Sequence, residues 1–357
     1  MSNVVDNRWK IHKFGGSSLA DEHCFRRVAG LLLEQDDARI GVVVSAMGGM
    51  TDALLQLAML AERDNEDFLN ELHAIGDRYS CTAKALLDGE RLVAVLDAWG
   101  QDAEDITDVL KAIALVRSAP QRSRDVIAGY GEIWSTRLLA ATLAKESATR
   151  GGTWIDARDV ITVHQTELGP SVLWDASGAN FAKVVDNDFE GIAVITGFIA
   201  TDETGLQTTL GRNGSDYSAA IFAALSGASE LTIWTDVDGV MSADPRRVPE
   251  AQVIDQLTYN EAMELAYFGA NVLHPQTLGP AVENEIPVVI RNSHNVTHPG
   301  SRIGAASAQV ETIKGITEIA GMALVNLEGS GMIGVPGTAD RLFAALKNAG
   351  VSVTLIS

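Results

Sequence analysis

A lysine that one residue separates from a pair of glycines is the first feature of this chain that suggests chemistry. Lys13, Gly15, Gly16 and Ser17 lie where a predicted strand, Ile11–Phe14, ends and a helix is expected to begin. Glycines let backbone N–H groups approach an oxyanion, and a helix N-terminus adds a favourable dipole. The lysine precedes the glycines, so the pattern is not the Walker loop. It indicates a phosphate-binding loop of another type or, alternatively, a tight turn with an exposed lysine.

A second glycine-rich loop, residues 211–218, carries Arg212 between two glycines and then Ser215 and Asp216. Ser215 is predicted to cap a helix running from Asp216 to about Leu225, and an aspartate suits the positive first turn of that helix. Ordinary capping explains Ser215 and Asp216 but not Arg212, since the chain has a formal net charge of −20. Arg212 is therefore a candidate for binding an anion.

A third polar turn follows the predicted strand Leu231–Thr235. Hydroxyl and carboxylate groups such as those of Thr235 and Asp236 could hold a ribose, and Arg246 could reach a phosphate. Taken alone, the same residues fit a loop with ordinary turn chemistry.

The elements that must position these loops are short apolar strands alternating with helices. Continuous apolar runs indicate strands buried on both faces, and hence a mostly parallel sheet covered by helices on both sides. Residues 52–143 have an almost entirely helical pattern that is typical of core packing. The predicted strands are Ile11–Phe14, Ile40–Ser45, Ile192–Ile199, Leu231–Thr235 and Pro287–Ile290.

The C-terminal part of the chain has a different composition. Residues 294–308 are rich in Asn, Thr, Pro, Gly and Ser and read as a linker. Beyond it, Ala323–Leu327 and Val351–Ile356 are predicted strands around a helix, Thr338–Asn348, with a glycine-rich loop at Gly329–Gly334. Two strands and one helix cannot bury a core alone, so we expect this unit to belong to a longer protein or to dock on a partner.

Composition narrows the function classes. The 357-residue chain is strongly acidic, which argues against nucleic acid and anionic membrane as partners. It has two cysteines, Cys24 and Cys81, and so no disulfide framework. No window is apolar enough to span a membrane, and the polar start, Met1–Lys13, lacks the core of a signal peptide. A cytoplasmic protein is the simplest expectation.

Six motifs in order and spacing resemble the aspartate kinases of the amino acid kinase family, over about residues 10–357. The motifs are Lys13–Ser18, Val44–Asp52, Gly129–Glu132, Leu210–Ala219, Trp234–Arg246 and Tyr267–Pro275. Asn213 and the Gly329–Gly334 loop resemble the kinase portion of bifunctional aspartokinase–homoserine dehydrogenases. The tail is similar to the first half of an ACT regulatory domain.

The resemblance implies an α/β fold: a three-layer αβα amino acid kinase fold with a mostly parallel central sheet, plus a partial ferredoxin-like (ACT) βαβ unit. It places the catalytic domain at 8–295, a linker at 296–314 and the incomplete ACT-like domain at 315–357. The implied reaction transfers the γ-phosphate of ATP, with Mg²⁺, to the side chain of L-aspartate. The implied assembly is a homo-oligomer, dimer or tetramer, with a possible fused homoserine dehydrogenase region.

Residue roles carried over from the family fall into three sets. Lys13 and Asp216 would be catalytic, and no protein ligands are expected for a metal. The substrate would contact Thr51, Glu132, Phe198, Arg212 and Ser215. The nucleotide would contact Lys13, Gly15, Gly16, Ser17, Ser45, Thr235, Asp236 and Arg246.

The chain departs from the family pattern at three positions. Asn271 stands where many relatives have lysine, Met241 where tyrosine is common, and Asn213 where many have glycine. Two alternatives stay open: a kinase of the same family that phosphorylates another acceptor, such as glutamate, acetylglutamate, carbamate or UMP, and a non-catalytic module that senses an amino acid. The feedback effector and the oligomeric state are not fixed by the sequence.

Overall fold

The computed structural model describes residues 8–63, 67–166, 169–268, 275–306, 313–327, 337–351 and 353–356. The chain divides into two compact units, Met1–Glu318 and Ile319–Ser357. Within the described ranges, no helix combines the length and the apolar character needed to cross a membrane.

The described strands and helices alternate along the first unit, as the apolar runs predict. The strands are β1 Lys10–Phe14, β2 Arg39–Val44, β3 Gly152–Ile155, β4 Thr162–Thr166, β5 Gly169–Val172, β6 Gly191–Thr196, β7 Ile199–Asp202, β8 Gln207–Thr209, β9 Glu230–Thr235, β10 Gln256–Thr258, β11 Val288–Asn292 and β12 Ser301–Gly304. The helices are α1 Glu22–Leu33, α2 Met50–Glu62, α3 Asp67–Leu86, α4 Gly89–Val116, α5 Gln121–Glu146, α6 Trp174–Val184, α7 Gly214–Ser226, α8 Tyr259–Tyr267, α9 Pro275–Glu283 and α10 Thr338–Asn348.

The main sheet has eight strands in the order β10-β12-β11-β9-β1-β2-β6-β3. Every neighbouring pair is parallel except β11 and β12, which are antiparallel. Val42, Val43 and Val44 are all fully buried, so β2 is covered on both faces. Continuous burial of this kind is what favours a parallel sheet between two helical layers.

Two hydrophobic cores lie on opposite faces of this sheet. One packs α1 to α5 against side chains such as Phe14 and Val44, and the other packs α6 to α9 against Ile11 and Val43. Successive side chains of a strand point to opposite faces of the sheet. Neighbouring residues of β1 and β2 therefore pack into different cores. This arrangement confirms the predicted three-layer αβα fold.

Strand β1 occupies the point where the strand order reverses. The chain leaves β1 and enters β2 on one side, whereas β9 pairs with β1 on the other side. In open α/β sheets, the crevice outside the carboxyl ends of the strands at such a point is the usual ligand site. Lys13 lies at that end of β1, in register with Val43 and Ile233.

The prediction of one strand over Ile192–Ile199 is wrong. The run breaks after β6, because Phe198 adopts a left-handed φ of 68°, and the chain then enters β7 in a separate sheet. That second sheet has four strands in the order β5-β4-β7-β8. A continuous apolar run hides such a break, since periodicity does not report a turn made by an ordinary residue.

Two further expectations need correction. The predicted linker, 296–314, contains a strand: β12 pairs with β10 and β11 at the edge of the main sheet. Ser215 is not the N-cap of its helix. Helix α7 begins at Gly214, and Asn213 occupies the N-cap position with a left-handed φ of 56°. Asp216 does lie in the first turn of α7, as predicted.

In the second unit, the predicted helix Thr338–Asn348 is confirmed as α10. Ala323–Leu327 is not a strand, and neither are the described residues of Val351–Ile356. Leu324 and Leu355 are 96% and 75% exposed. An isolated strand without ladder partners leaves its backbone groups unpaired, so none forms here. The predicted loop Gly329–Gly334, and Asn271, lie outside the described residues.

Candidate active site

A lysine and an aspartate from distant parts of the chain meet at the carboxyl end of β1. The Nζ atom of Lys13 lies 2.8 Å from Oδ1 of Asp216, and their side chains are 12% and 24% exposed. The contact is close but not aligned as a hydrogen bond to that oxygen. It is therefore a partly exposed ion pair, which water screens only in part.

The two glycine loops after β1 and β2 touch through their backbones. A Cβ added at Gly16 would stand 2.9 Å from the carbonyl oxygen of Ala46, and one added at Gly48 would stand 3.1 Å from the carbonyl oxygen of Gly16. One added at Gly15 would stand 3.5 Å from Nζ of Lys13. Glycine is therefore needed for this close approach, which brings the two loops together beside the lysine.

Predicted site residues flank these loops. Ser45 is half-buried, and its N–H donates to the carbonyl of Phe14 over 3.1 Å. Ser17 is exposed at the tip of the first loop, and Thr51 is half-buried in the first turn of α2. All three lie in the segments that follow the carboxyl ends of β1 and β2.

Glu132, on α5, is a buried acid beside the second glycine loop. It is 4% exposed, and its Oε2 atom has no hydrogen-bond partner. Burial raises the pKa of Glu132 to about 8, while a hydrogen bond from the backbone N–H of Ala46 acts in the opposite direction. An unpaired carboxyl oxygen in such a place is unfavourable unless a ligand completes it. Glu132 is suited to receive a cationic group.

The end of β6 brings Phe198 and Ser215 into the same region. A Cβ added at Gly197 would stand 2.7 Å from the carbonyl oxygen of Val44 and 2.9 Å from Oγ of Ser215. The N–H of Phe198 donates to Oγ of Ser218 over 2.9 Å. The start of α7 is thereby held against the ends of β2 and β6.

Arg212 lies in the loop that leads into α7 and is exposed. Across the described part of the chain, its guanidinium has no hydrogen bond or ion pair. Its planar fork is available for a carboxylate or phosphate from solution. Arg212 lies two residues before the start of α7, the helix that carries Ser215 and Asp216.

The predicted nucleotide-binding turn is brought together only in part. Thr235 and Asp236 follow β9, the parallel neighbour of β1, and Oγ1 of Thr235 contacts Oδ1 of Asp236 at 3.2 Å. Arg246 lies apart from them in an exposed loop, where it pairs with Asp244 at 2.9 Å. That guanidinium lowers the pKa of Asp244. No described contact joins Arg246 to Lys13 or to Thr235.

Three residues that sequence reasoning missed hold these loops in place. Arg78, on α3, donates to the carbonyl oxygens of Gly48 over 2.7 Å and of Ala20 over 3.1 Å. Asn292, the last residue of β11, and Ser293, directly after it, contact the end of β9 and the turn that follows. The position of Asn292 and Ser293 after a predicted strand was a usable signal, whereas nothing marks Arg78 within the long helical block.

The fold and this edge of the sheet define a phosphate-binding α/β protein, and comparison with known proteins gives its family. The model of the amino acid kinase family matches residues 8–292, and the model of the ACT domain matches residues 325–357. The chain belongs to the amino acid kinase family.

Curated relatives extend well beyond this chain. It is 41% identical over 376 residues to the bifunctional aspartokinase/homoserine dehydrogenase 1, chloroplastic, of Arabidopsis thaliana, covering 100% of this chain and 40% of the relative. It is 36% identical to the bifunctional aspartokinase/homoserine dehydrogenase of Haemophilus influenzae, covering 98% and 43%. The chain thus spans about two-fifths of the length of these relatives.

Among solved structures, E. coli aspartokinase III in complex with aspartate and ADP, in its R-state, is similar to this chain. The TM-score is 0.80 at 29% sequence identity, covering 98% of this chain and 76% of that one. The likeness therefore extends over nearly the whole chain.

Proposed function

We propose that this chain is an aspartate kinase that converts ATP and L-aspartate to ADP and 4-phospho-L-aspartate. In this reaction an oxygen of the side-chain carboxylate bonds to the γ-phosphorus, and the bond from that phosphorus to the bridging oxygen breaks, leaving its electrons on ADP. The observation that carries the proposal is the buried Glu132, with one unpaired oxygen, beside glycine loops that open next to the Lys13–Asp216 pair.

The acceptor needs no general base in this chemistry. A side-chain carboxylate has an ordinary pKa of about 3.9 and is ionised at neutral pH. The barrier lies in bringing two anions together and in placing them in line, so positioned cations and backbone N–H groups are the useful catalytic parts. Lys13 would stabilise the charge that develops on the transferring phosphate, and Asp216 would orient Lys13.

Recognition of an amino acid requires one anion and one cation at a set separation. Glu132 would hold the substrate ammonium, because its unpaired oxygen is buried and lacks a donor. The positive charge of the bound ammonium would favour the ionised form of this carboxyl, which burial otherwise keeps protonated. Arg212 would pair with a substrate carboxylate through two parallel hydrogen bonds. Thr51, Phe198 and Ser215 would shape the pocket between them.

The nucleotide would lie along the loops after β1, β2 and β9. Gly15, Gly16, Ser17 and Ser45 would line the phosphates, and Thr235 and Asp236 would face the nucleoside. Arg246 would join them only after leaving Asp244. In the described part of the chain, no group of three or more His, Cys, Asp or Glu could hold a metal ion. Mg²⁺ would therefore arrive with the nucleotide, bound by phosphate oxygens and water.

A hydroxamate assay tests the proposal directly, because hydroxylamine traps an acyl phosphate. The assay is run with ATP and magnesium against aspartate, glutamate and N-acetylglutamate in parallel. We expect signal with aspartate alone. A signal with another acid would show that this acid, and not aspartate, is the substrate. If the protein is folded and binds ATP but gives no signal with any acid, the proposed activity of this chain is overturned.

Assembly and location form the remaining part of the proposal. We expect a homo-oligomer, dimer or tetramer, as the resemblance to aspartate kinases implies, and a cytoplasmic location, as the composition of the chain suggests. The measurement is light scattering coupled to size exclusion, and a monomer across the micromolar range would contradict it. A fused homoserine dehydrogenase region, present in the names of the longer relatives, is likewise a proposal for the whole protein.

A further inference from the structure

The segment at the end of β11, residues Asn292–Asn295 and here called the β11 turn, contacts two loops of the candidate active site. Oγ of Ser293 lies 3.1 Å from Oγ of Ser18, in the short helix that follows the first glycine pair. The N–H of Ser293 donates to the carbonyl of Thr235 over 2.9 Å, and its hydroxyl donates to the same oxygen over 3.3 Å. Ser293 therefore joins the loop after β1 to the loop after β9.

Asn292 binds the next part of the loop after β9. Its Nδ2 donates to Oδ1 of Asp238 over 2.7 Å and to the carbonyl of Asp236 over 3.3 Å. Asn295 donates a second hydrogen bond to the same Asp238 oxygen, over 3.1 Å. One carboxylate oxygen thus accepts from two amides of the β11 turn, which fixes the position of the acidic turn.

The bonds of Asn292 and Ser293 are at least partly sheltered from water, whereas the bond of Asn295 is exposed. Asn292, Ser293 and Ser18 are 9%, 1% and 2% exposed. Hydrogen bonds of buried groups, and those to ionised acceptors, contribute more than exposed ones, and loss of one partner leaves the other unsatisfied. Beneath them, the rings of Phe14 and Trp234 stack at 5.6 Å and link β1 to β9.

An ordinary turn would satisfy its polar groups locally. Some bonds here are of that kind: Oδ1 of Asn292 accepts from the N–H of His294 over 2.8 Å, and Oδ1 of Asn295 accepts from the hydroxyl of Thr297 over 3.1 Å. The donating atoms of Asn292 and the hydroxyl of Ser293 point instead to segments that precede them by more than fifty residues. Local capping therefore does not account for the arrangement.

We propose that Asn292 and Ser293 are positioning residues for nucleotide binding, which hold the Thr235–Asp238 turn at a fixed distance from the Lys13 loop. They touch the nucleotide-binding loops and not the nucleotide. The inference rests on the proposed function, since it takes these loops as the ATP site. It extends that function to a strand whose loop had no assigned role.

Removal of the Asn292 amide should weaken nucleotide binding selectively. In Asn292→Ala, Asp238 and the Asp236 carbonyl lose a donor, and the turn gains freedom that ATP must then remove. We expect the Kd of ATP–magnesium, measured by isothermal titration calorimetry, and the KM for ATP to rise about tenfold. The KM for aspartate should stay within twofold. Ser293→Ala, a smaller change, should shift the same two quantities in the same direction.

A swapped pair and a matched control separate positioning from general loss of structure. Asn292→Asp places two carboxylates together and should weaken ATP binding more than alanine does, whereas adding Asp238→Asn should restore part of the affinity. Asn180→Ala removes a half-buried asparagine bonded to Thr162 on β4, over 3.3 Å, and should leave the Kd of ATP unchanged. Thermal unfolding of each variant reports its stability.

Each outcome decides one proposal. A Kd of ATP that is unchanged in both folded Asn292→Ala and Ser293→Ala overturns the inference, and so does an equal rise in the KM for aspartate. Calorimetry measures ATP binding and does not depend on turnover. A protein that binds ATP but gives no aspartyl hydroxamate signal would overturn the proposed function. The effect of the Asn292 and Ser293 variants on the Kd of ATP would still test the positioning role.

Discussion

The ion pair between Nζ of Lys13 and Oδ1 of Asp216, at 2.8 Å, joins the end of β1 to the first turn of α7. Both side chains retain some exposure, so the pair faces the opening and is not sealed in the core. Asp216 also lies at the positive end of its helix. The positive end of the helix and the Lys13 ammonium therefore both lie beside one carboxylate.

Lys13→Ala should lower turnover in the hydroxamate assay by roughly 100- to 1000-fold, the usual effect of removing one donor that stabilises developing charge. The matched control is Lys10→Ala, on the same strand, whose ion pair with Asp37 at 3.0 Å is at the opposite end. That variant should keep normal turnover. Near-normal turnover in folded Lys13→Ala would remove Lys13 from catalysis.

Arg212→Ala should act on the substrate and not on the fold. Its side chain is exposed and unpaired within the described residues, so stability should change little, while the KM for aspartate rises roughly 10- to 100-fold. Arg212→Lys keeps the charge but loses the planar fork, so its KM for aspartate should fall between those of the unmodified protein and Arg212→Ala. The KM for ATP serves as the internal control; an unchanged aspartate dependence in Arg212→Ala would contradict the assignment.

Sequence reasoning works for this fold where a single segment carries its own signal. Lys13 and its glycines follow an apolar run, so their position at a strand end is readable without any partner. Arg212 is readable because a cation between glycines is unusual in an acidic chain. In both cases the chemistry and the local structure are written within one short stretch.

It fails where a feature depends on a distant segment. At the break, the backbone of Phe198 bonds to other segments: its N–H donates to Oγ of Ser218 over 2.9 Å, and its carbonyl accepts from the N–H of Leu210 over 2.7 Å. Strand β12 lies in a polar stretch whose only reason to be a strand is its partners, β10 and β11. The bond from Asn292 to Asp238 joins residues from two loops, so neither loop alone indicates it.

Glu132 should make stability depend on pH above its ordinary titration range. Its pKa is raised from 4.5 to about 8 by burial, so the folded state keeps a proton that the unfolded chain has lost. The contribution is fully present below pH 4.5 and is lost as pH rises through 8, by an amount on the order of 5 kcal/mol. The contribution of Glu132 is isolated by measuring the free energy of unfolding of the unmodified protein and of Glu132→Gln from pH 5 to 9. If the two free energies change with pH in parallel, the pKa of Glu132 is not raised.

His12 should give the opposite slope on the acidic side. Burial lowers its pKa from 6.5 to about 4, and Nδ1 accepts a hydrogen bond from Trp234 over 3.2 Å. The contribution of neutral His12 to the free energy of unfolding is fully present above pH 6.5. It is lost as pH falls through 4, by about 3 kcal/mol. His12→Asn keeps an acceptor but cannot titrate, so its free energy of unfolding should be flatter over this range. Equal slopes for the two proteins would show that other groups carry the acid sensitivity.

Two glycines of the first βα unit offer a direct test of the contact between the glycine loops. A Cβ at Gly16 would stand 2.9 Å from the carbonyl oxygen of Ala46, which is backbone and cannot turn aside, whereas a Cβ at Gly30 meets nothing within 4 Å. Gly16→Ala should therefore destabilise the protein by about 1–3 kcal/mol and sharply lower turnover, because the two loops must separate. Gly30→Ala, in the middle of α1, should stabilise it by about 0.5–1 kcal/mol, since alanine loses less backbone freedom on folding. Thermal unfolding and the hydroxamate assay give both quantities on the same samples. If Gly16→Ala behaved like Gly30→Ala in both, close contact of the loops would not be needed for activity.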